Sequence, residues 1–299
     1  MQLSDDNLNL NRHIIFNVDT TVPPSILVHL IAHVKKIIQQ YPPPYTLMCS
    51  GGIDSQVMLW AWTLAGVEFK ALHVSYNGYN EFDSITLEQF ASRYGIKYDT
   101  VNFDVIEFLE TRLDQYANKY LCGSPQLCTY MAMSELVDSG TKIFAGNLIY
   151  LSGMLPINNT IYGLQRYSVL SGYSVVPFFL STDVSVSSAA ALFWNNTAKD
   201  EYLAIKNLSS MTDKQKGYLT KQTLYTLAGF PTISQNVNFT GFERVEAYYD
   251  TQINRVSAIE KLRYSIYPVK RTFDYLFRYK YYQRFQNHYR SAIEILINS

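Results

Sequence analysis

The chain has 299 residues, of which 47% are hydrophobic, and its 25 basic and 25 acidic side chains leave a formal net charge of +0. This length and apolar content allow one large domain or two modest ones, and they exclude disorder along the whole chain. A neutral chain has no overall field that attracts nucleic acid or a membrane surface, and no apolar run reaches the ~20 residues of a membrane-spanning helix.

The beginning of the chain and its cysteines bear on the cellular compartment. The first six residues are polar and acidic, unlike a secretory signal peptide. Cys49, Cys122 and Cys128 are an odd number and lack the spacing of a disulfide framework. We therefore expect a protein of the reducing cytoplasm.

The first predicted elements are a strand and a helix. Residues 12–18 have the apolar character of a short edge strand. Ser25 is a suitable N-cap for a helix over 26–40, whose apolar side chains recur at helical spacing. Within this helix His29 and His33 lie four residues apart, a spacing that can bind zinc. No third ligand is evident, and we expect both histidines on a solvated face.

The next segment predicts a strand, a tight turn and a helix. Residues 45–49 form an apolar run, and residues 56–66 are predicted to form a helix that ends at a glycine. Between them lies the turn Ser50-Gly51-Gly52-Ile53-Asp54-Ser55. The two glycines allow backbone N–H groups to turn inward, and the helix dipole adds positive potential. The combination favours an anion site.

The side chains of this turn favour a polyphosphate with its metal ion. Ser50 and Ser55 can donate hydroxyl hydrogen bonds, and Asp54 is placed where a phosphate-bound Mg²⁺ needs an oxygen ligand. The Walker loop is excluded, because its longer glycine spacing and its lysine are missing. The alternative is a small polar turn without a ligand, which the complete pattern disfavours.

Strands and helices continue to alternate after this turn. Strands are predicted at 69–75, 96–102 and 142–146, and helices at 82–94, 105–119 and 127–139. This alternation predicts an α/β fold with a mostly parallel sheet of about five strands and helices on both faces. Ligands bind at the carboxyl ends of such strands, so the segments of interest are 50–55, 75–78 and 146–152.

Beyond about residue 155 the alternation fades. Residues 175–180 form one more apolar run, and from about residue 243 the chain is predicted to be helical, aromatic and basic. We therefore expect three regions. They are an N-terminal strand and helix (1–40), a nucleotide-binding α/β core (41–155) and a mainly helical C-terminal region that completes the substrate site (156–299).

The pattern Ser-Gly-Gly-x-Asp-Ser at 50–55 resembles the loop of the PP-loop ATP pyrophosphatase superfamily, whose members cleave ATP between its α and β phosphates. The helix-leading segments at 80–83 and 124–126 and the Gly-Phe at 241–242 are similar to the synthetase domain of asparagine synthetase. The resemblance covers roughly residues 25–245 and is strongest at the loop. It implies an adenine nucleotide alpha-hydrolase-like fold, extended by a helical C-terminal region.

The resemblance also implies an activity: an ATP-dependent, AMP- and pyrophosphate-forming ligase that adenylates a carboxylate or similar acceptor and forms an amide. ATP and Mg²⁺ are the implied cofactors. Asp54 would bind the metal, and Lys221 is the candidate to neutralise the leaving pyrophosphate. The residues implied to hold the nucleotide are Ser50, Gly51, Gly52, Asp54, Ser55, Val74, Ser75 and Gly146, with Val74 and Ser75 beside the adenine.

The implied partners are a small carboxylate or amine substrate and a source of nitrogen. We expect no glutaminase half, because Met1-Gln2 supplies no N-terminal cysteine nucleophile. Nitrogen would therefore come from free ammonia, from an amine substrate or from a separate amidotransferase subunit. Nucleic acid is a possible partner but not the favoured one, and no membrane partner is expected.

Two positions depart from the family pattern. Where the family has acidic residues that help to hold Mg²⁺ after the fourth strand, this chain has Asn147, whose amide is a poorer ligand for a hard cation. The family lysine two residues before the late Gly-Phe is replaced by Phe239. The lysines that can supply the missing positive charge are Lys214, Lys216, Lys221 and Lys270.

Three other functions stay open on sequence grounds. A thiolating PP-loop enzyme would use a cysteine pair such as Cys122 and Cys128, although structural thiols are the favoured interpretation. A nucleic-acid-modifying enzyme would use the basic, tyrosine-rich region 255–290, which we instead expect to pack as a helical layer. The third is a non-catalytic nucleotide-binding relic, which the two departures favour and the intact loop disfavours.

Overall fold

The computed structural model describes most of the chain. The described residues are 25–146, 159–179, 189–190, 192–193, 197–233, 241–266 and 271–281, together with the backbone of 14–19 and 293–298. Asn147, Phe239 and Lys270 lie outside these residues. The predictions about them therefore stay predictions.

Seven strands lie within the described residues: β1 (Ile14–Asp19), β2 (Tyr45–Cys49), β3 (Lys70–Ser75), β4 (Tyr98–Asn102), β5 (Thr141–Phe144), β6 (Ser174–Pro177) and β7 (Ile293–Asn298). Five of them form an all-parallel sheet in the order β4-β3-β2-β5-β6. The strand order reverses between β2 and β5. In such a sheet the crevice at the carboxyl ends of the strands on either side of this reversal is where ligands bind.

The helices connect these strands and extend beyond them. Their bounds are α1 (Ile26–Gln40), α2 (Ile53–Ala65), α3 (Glu81–Tyr94), α4 (Val105–Glu107), α5 (Leu113–Lys119), α6 (Pro125–Ser134), α7 (Asn159–Ser171), α8 (Lys199–Lys206), α9 (Asp213–Leu227), α10 (Gly241–Asp250) and α11 (Ala258–Arg263). A π-helical turn, Phe108–Arg112, joins α4 to α5. Among these helices none is both long enough and apolar enough to cross a membrane.

The hydrophobic core lies in two layers, one on each face of the sheet. Neighbouring residues of a strand point to opposite faces. Leu47 accordingly packs in a cluster with buried side chains of α1, α2, α3 and α9. Its neighbour Met48 packs in a second cluster with side chains of α5, α6, α7 and α10. The predicted α/β fold, with helices on both faces of a parallel sheet, is confirmed.

Local signals in the sequence set several helix ends. Helices α2 and α3 end at Gly66 and Gly95, whose φ angles of 67° and 65° are left-handed. Glycine adopts this conformation without a steric cost, because it has no Cβ. At the start of α6 the Ser124 hydroxyl accepts a hydrogen bond from the Leu127 N–H at 3.3 Å. These ends agree with the prediction to within a few residues.

The outer parts of the chain differ in part from the prediction. The edge strand predicted at 12–18 runs over Ile14–Asp19 and pairs in parallel with β7 in a separate two-stranded sheet. Residues 293–298 form that partner strand, although the region was expected to be helical. Strand β6 belongs to the central sheet and lies beyond residue 155, because the apolar run at 175–180 begins as a buried strand. The sheet therefore extends into the region assigned to the C-terminal helices.

Candidate functional site

The turn between β2 and α2 requires glycine at position 51. Gly51 has a left-handed φ of 85°. A Cβ atom built there would lie 2.0 Å from the carbonyl oxygen of Asp83 in α3. No side chain fits at that distance, and backbone cannot move aside as a flexible side chain does. The first glycine of the pattern is therefore explained by both the conformation of the turn and the approach of α3.

The turn presents polar groups at the N-terminus of α2. The Gly52 N–H donates to Ser50 Oγ at 3.2 Å, and Ser55 Oγ donates to the Gly52 carbonyl at 2.8 Å. Gly52 is the N-cap, and no side chain caps the helix. The amides of residues 53–55 have no acceptor within the helix, because the first turn of a helix has none. Such amides, together with the helix dipole, attract an anion.

Asp54 in this turn is held by two side chains from a distant helix. Lys221 Nζ donates to Asp54 Oδ2 at 2.7 Å, and the Tyr225 hydroxyl donates to Asp54 Oδ1 at 2.6 Å. The side chains of Lys221 and Asp54 are 17% and 13% exposed. Both donors lie on α9, four residues apart and therefore on one face of the helix. The structure thus brings the two predicted catalytic residues, Asp54 and Lys221, into direct contact.

Tyr225 and Gln56 belong to this arrangement, although the sequence analysis did not select them. Gln56, in the first turn of α2, is fully buried. Its Nε2 donates to the carbonyl oxygens of Gly51 (2.9 Å) and Ile233 (3.2 Å), and its Oε1 accepts from the Ile233 N–H at 2.7 Å. The segment that follows α9 is therefore tied to the turn. For Tyr225, the spacing of four from Lys221 was the signal available in the sequence.

A buried histidine, His73, forms hydrogen bonds next to the start of the turn. His73 of β3 lies beside Cys49 of β2 in the sheet register. Its Nδ1 contacts the Cys49 carbonyl oxygen at 2.9 Å, and its Nε2 contacts Ser84 Oγ at 2.7 Å. A carbonyl oxygen only accepts, so Nδ1 carries the proton and Nε2 accepts from Ser84. Burial lowers the pKa of His73, so the ring stays neutral. Its two hydrogen bonds join β2, β3 and α3 just before the turn.

Val74 and Ser75, the two residues implied to border the adenine, point to opposite faces of the sheet. Val74 is buried in the core on the face of the sheet opposite α2, and its carbonyl accepts from Asn80 Nδ2 at 2.8 Å. Ser75 is half-buried and points to the same face as His73. Ser75 is therefore better placed than Val74 for a ligand on the side of α2.

Gly146 lies close to the turn, across the point where the strand order reverses. The sheet register pairs Met48 with Phe144, so Gly146 follows β5 at the level at which Ser50 follows β2. Gly146 has a left-handed φ of 69°. The two strands that flank the reversal point therefore end at the same level of the sheet.

Among the candidate lysines, Lys221 lies at the turn. Lys216 instead donates from Nζ to the Lys206 carbonyl at 3.0 Å, at the end of α8. The side chain of Lys214 and all of Lys270 lie outside the described part of the structure. Of the candidate lysines whose side chains are described, Lys221 is the one in contact with Asp54.

The cysteines and His33 are buried and structural. All three thiols are buried, and burial raises the pKa of Cys49 and of Cys128. A thiol with a raised pKa is a poor nucleophile at neutral pH. The expected solvated position is wrong for His33, which is buried and contacts the Phe178 carbonyl oxygen through Nε2 at 2.8 Å. In the described residues no three His, Cys, Asp or Glu side chains group as a metal site.

An open groove of about 530 Å³ lies near the carboxyl ends of β3 and β4. Its lining includes Tyr79, Tyr248, Asp104, Glu107 and Glu110. Asp104 Oδ1 accepts from the Glu107 N–H at 2.9 Å, and Glu110 forms an ion pair with Arg255 at 2.9 Å. Carboxylates repel a phosphate, so the turn at 50–55 and not this groove is the candidate anion site.

Four basic residues in the described part of the C-terminal region are paired with acids: Arg255, Arg271, Arg278 and Lys280. Arg271 binds Glu246 (2.6 Å) and Asp250 (2.8 Å), and Arg278 binds Glu246 at 2.8 Å. Arg278 also contacts the buried Asp274, and Lys280 binds Asp114. These ion pairs attach the described residues 271–281 to α10 and α5. Such pairing supports the interpretation of a packed layer.

Comparisons with known proteins add little. The sequence matches no protein-family model and no curated protein. Among solved structures the chain is similar to an NMN synthetase from Francisella tularensis, with 16% sequence identity and a TM-score of 0.36, over 78% of this chain and 95% of that chain. Similarity at this level carries no argument about activity.

Proposed function

We propose that this chain is a PP-loop enzyme that splits ATP between its α and β phosphates, adenylates a carboxylate or similar acceptor and forms an amide. The observation that carries the proposal is the turn at residues 50–55. It lies at the reversal point of the sheet, with uncapped helix amides on one side and the Asp54–Lys221 pair on the other.

The donor set of the turn fits Mg²⁺ bound together with a nucleotide. Mg²⁺ is usually held by one or two carboxylates, with phosphates and water completing its shell. Asp54 provides such a carboxylate, and its partner Lys221 provides a cation within reach of the same phosphates. When bound, Mg²⁺ neutralises charge on the phosphate oxygens.

The chain's own residues supply the remaining chemistry. The amides of 53–55 bind the anionic tail at the helix N-terminus, and the hydroxyls of Ser50 and Ser55 donate further hydrogen bonds. Lys221 stabilises the charge that builds up on the departing pyrophosphate, because a cation in a partly buried site interacts strongly with an anion. The acceptor carboxylate would attack the α-phosphorus and displace pyrophosphate. The nitrogen donor would then attack the carbonyl carbon of the acyl-adenylate, form the amide and release AMP.

The alternatives are less well supported. A thiolating enzyme needs an accessible thiolate, whereas Cys122 and Cys128 are buried. A nucleic-acid-modifying enzyme needs free cations in the C-terminal region, whereas Arg255, Arg271, Arg278 and Lys280 are in ion pairs. A nucleotide-binding relic would keep the same turn and differs from the enzyme only in turnover.

Release of pyrophosphate from ATP tests the proposal. It would be measured with a panel of small carboxylates plus ammonia or amines, for the native chain and for Asp54→Asn. We expect release in at least one mixture and a loss of about a hundredfold or more in the variant, comparable to removal of one charge-stabilising group from an active site.

The matched control is Asp99→Asn, which removes the same charge from an exposed ion pair between Asp99 of the outer strand β4 and Lys70 of β3. It should release pyrophosphate at the native rate. Tight ATP binding without turnover in any mixture would favour the relic, and no binding of any adenine nucleotide would reject the proposal altogether.

A further inference from the structure

We propose that Tyr225 is a positioning residue for Asp54. It keeps one carboxylate oxygen fixed while Lys221 leaves the other oxygen and moves to a phosphate when the Mg²⁺–nucleotide complex binds. This inference rests on the proposed function and assigns different roles to Tyr225 and Lys221 of α9.

The two roles differ because each carboxylate oxygen of Asp54 accepts a hydrogen bond from a different donor. Oδ1 accepts from the Tyr225 hydroxyl at 2.6 Å, and Oδ2 accepts from Lys221 Nζ at 2.7 Å. A metal ion bound at Oδ2 would repel the ammonium group at that distance. The negative phosphates beside the same turn would attract it. The hydrogen bond from the neutral tyrosine is compatible with a metal on the other oxygen.

The two donors also differ in freedom of movement. Tyr225 is fully buried, and its ring packs edge to face against Phe230 with centroids 5.6 Å apart. Its hydroxyl can therefore reach only a small region around Asp54 Oδ1. Lys221 is partly exposed, and its four-carbon stem allows its ammonium group to move several ångströms. Tyr225 is therefore suited to keep its hydrogen bond to Asp54, and Lys221 is suited to exchange Asp54 for a phosphate.

Without the tyrosine hydroxyl the Asp54 carboxylate would be less well oriented. The terminal torsion of aspartate is broad, so one hydrogen bond decides which way Oδ2 points when Lys221 has moved. Groups that orient a metal ligand commonly affect metal affinity by about 10- to 100-fold. The removal of this hydroxyl should therefore weaken the metal-dependent part of nucleotide binding selectively.

Binding of a non-hydrolysable ATP analogue tests this inference without any need for turnover. Affinity would be measured by calorimetry, once with Mg²⁺ and once with a chelator, for the native chain and Tyr225→Phe. We expect Tyr225→Phe to lose about 10- to 100-fold in affinity with Mg²⁺ and to differ by less than about threefold without it. Lys221→Met should lose affinity under both conditions, because its cation contacts the phosphates directly.

Tyr249→Phe is the matched control. Tyr249 is also fully buried, and its hydroxyl also donates to a carboxylate, Glu110 Oε1 at 3.2 Å, but it belongs to the cluster on the other face of the sheet. The control should bind like the native chain. A second test uses the background of Asp54→Asn, in which Tyr225→Phe should have no further effect on Mg²⁺ dependence.

The outcomes separate this inference from the proposed function. If the native chain binds no nucleotide, both are rejected. If the native chain binds with Mg²⁺ and Tyr225→Phe binds equally well, the inference is wrong and the proposed function stands. An equal loss with and without Mg²⁺ also overturns the inference, because it would show that the hydroxyl only maintains the packing of α9.

Discussion

At the scale of single residues, Gly51 illustrates how one position serves both the fold and the site. Its left-handed φ of 85° excludes most side chains, and the Asp83 carbonyl oxygen occupies the space that a Cβ would need. The same close approach fixes the turn that presents the amides of α2. A change at Gly51 should therefore affect stability and ligand binding together.

Gly51→Ala should destabilise the protein by more than the ~1–2 kcal/mol that a left-handed conformation costs a non-glycine residue. The clash at 2.0 Å adds to this cost, because backbone of α3 must move. Urea unfolding measures the change. Gly95→Ala is the control: it has a similar φ of 65°, and nothing lies within 4 Å of its added Cβ. Equal losses in the two variants would contradict the role assigned to the Asp83 contact.

At the scale of elements, the link between α2 and the segment after α9 depends on one side chain. Gln56 binds both backbone polar groups of Ile233 and the carbonyl of Gly51, and all three contacts are shorter than 3.3 Å. A buried backbone group without a partner is costly. Gln56 therefore couples the turn to the helix that carries Lys221 and Tyr225.

Gln56→Leu should lower the free energy of unfolding by about 1–3 kcal/mol for each buried group left without a partner. It should also speed hydrogen exchange at the Ile233 amide, which mass spectrometry of the peptide after α9 can follow. Gln126→Leu serves for comparison, because Gln126 donates to the Tyr130 hydroxyl and not to backbone. Unchanged exchange at Ile233 would show that packing, and not Gln56, holds this segment.

At the scale of the whole molecule, charge balance bears on the choice of partner. The net charge is +0. Among the described residues of the C-terminal region, Arg255 and Lys280 form ion pairs with Glu110 and Asp114. Affinity for nucleic acid comes largely from cations that neutralise phosphates. A neutral chain in which several C-terminal cations are already held by acids has less free positive charge to offer a phosphate backbone.

We therefore expect weak binding of RNA, with a dissociation constant no tighter than the ~1–100 μM of non-specific binding at physiological salt. Fluorescence anisotropy with a labelled, structured RNA measures it, and the salt dependence counts the phosphates neutralised. Glu110→Gln, which releases Arg255 from its ion pair, should increase affinity only slightly. Submicromolar, strongly salt-dependent binding by the native chain would instead favour the nucleic-acid-modifying alternative.

The local features of this protein follow from short stretches of its sequence. The strand, turn and helix around residues 50–55, the alternation that makes the sheet and the glycine ends of α2 and α3 all depend on neighbours within a few positions. Backbone sterics and hydrophobic periodicity act over that range, so they can be predicted from residue types alone.

The contacts between distant residues became known from the folded structure. Lys221 and Tyr225 contact Asp54 across 167 and 171 positions of the chain, and no local pattern encodes such a distance. The same holds for the pairing of β1 with β7 and for the burial of His33 against Phe178. These contacts depend on how the whole chain is packed, since burial and long-range hydrogen bonding are properties of the folded molecule and not of a segment.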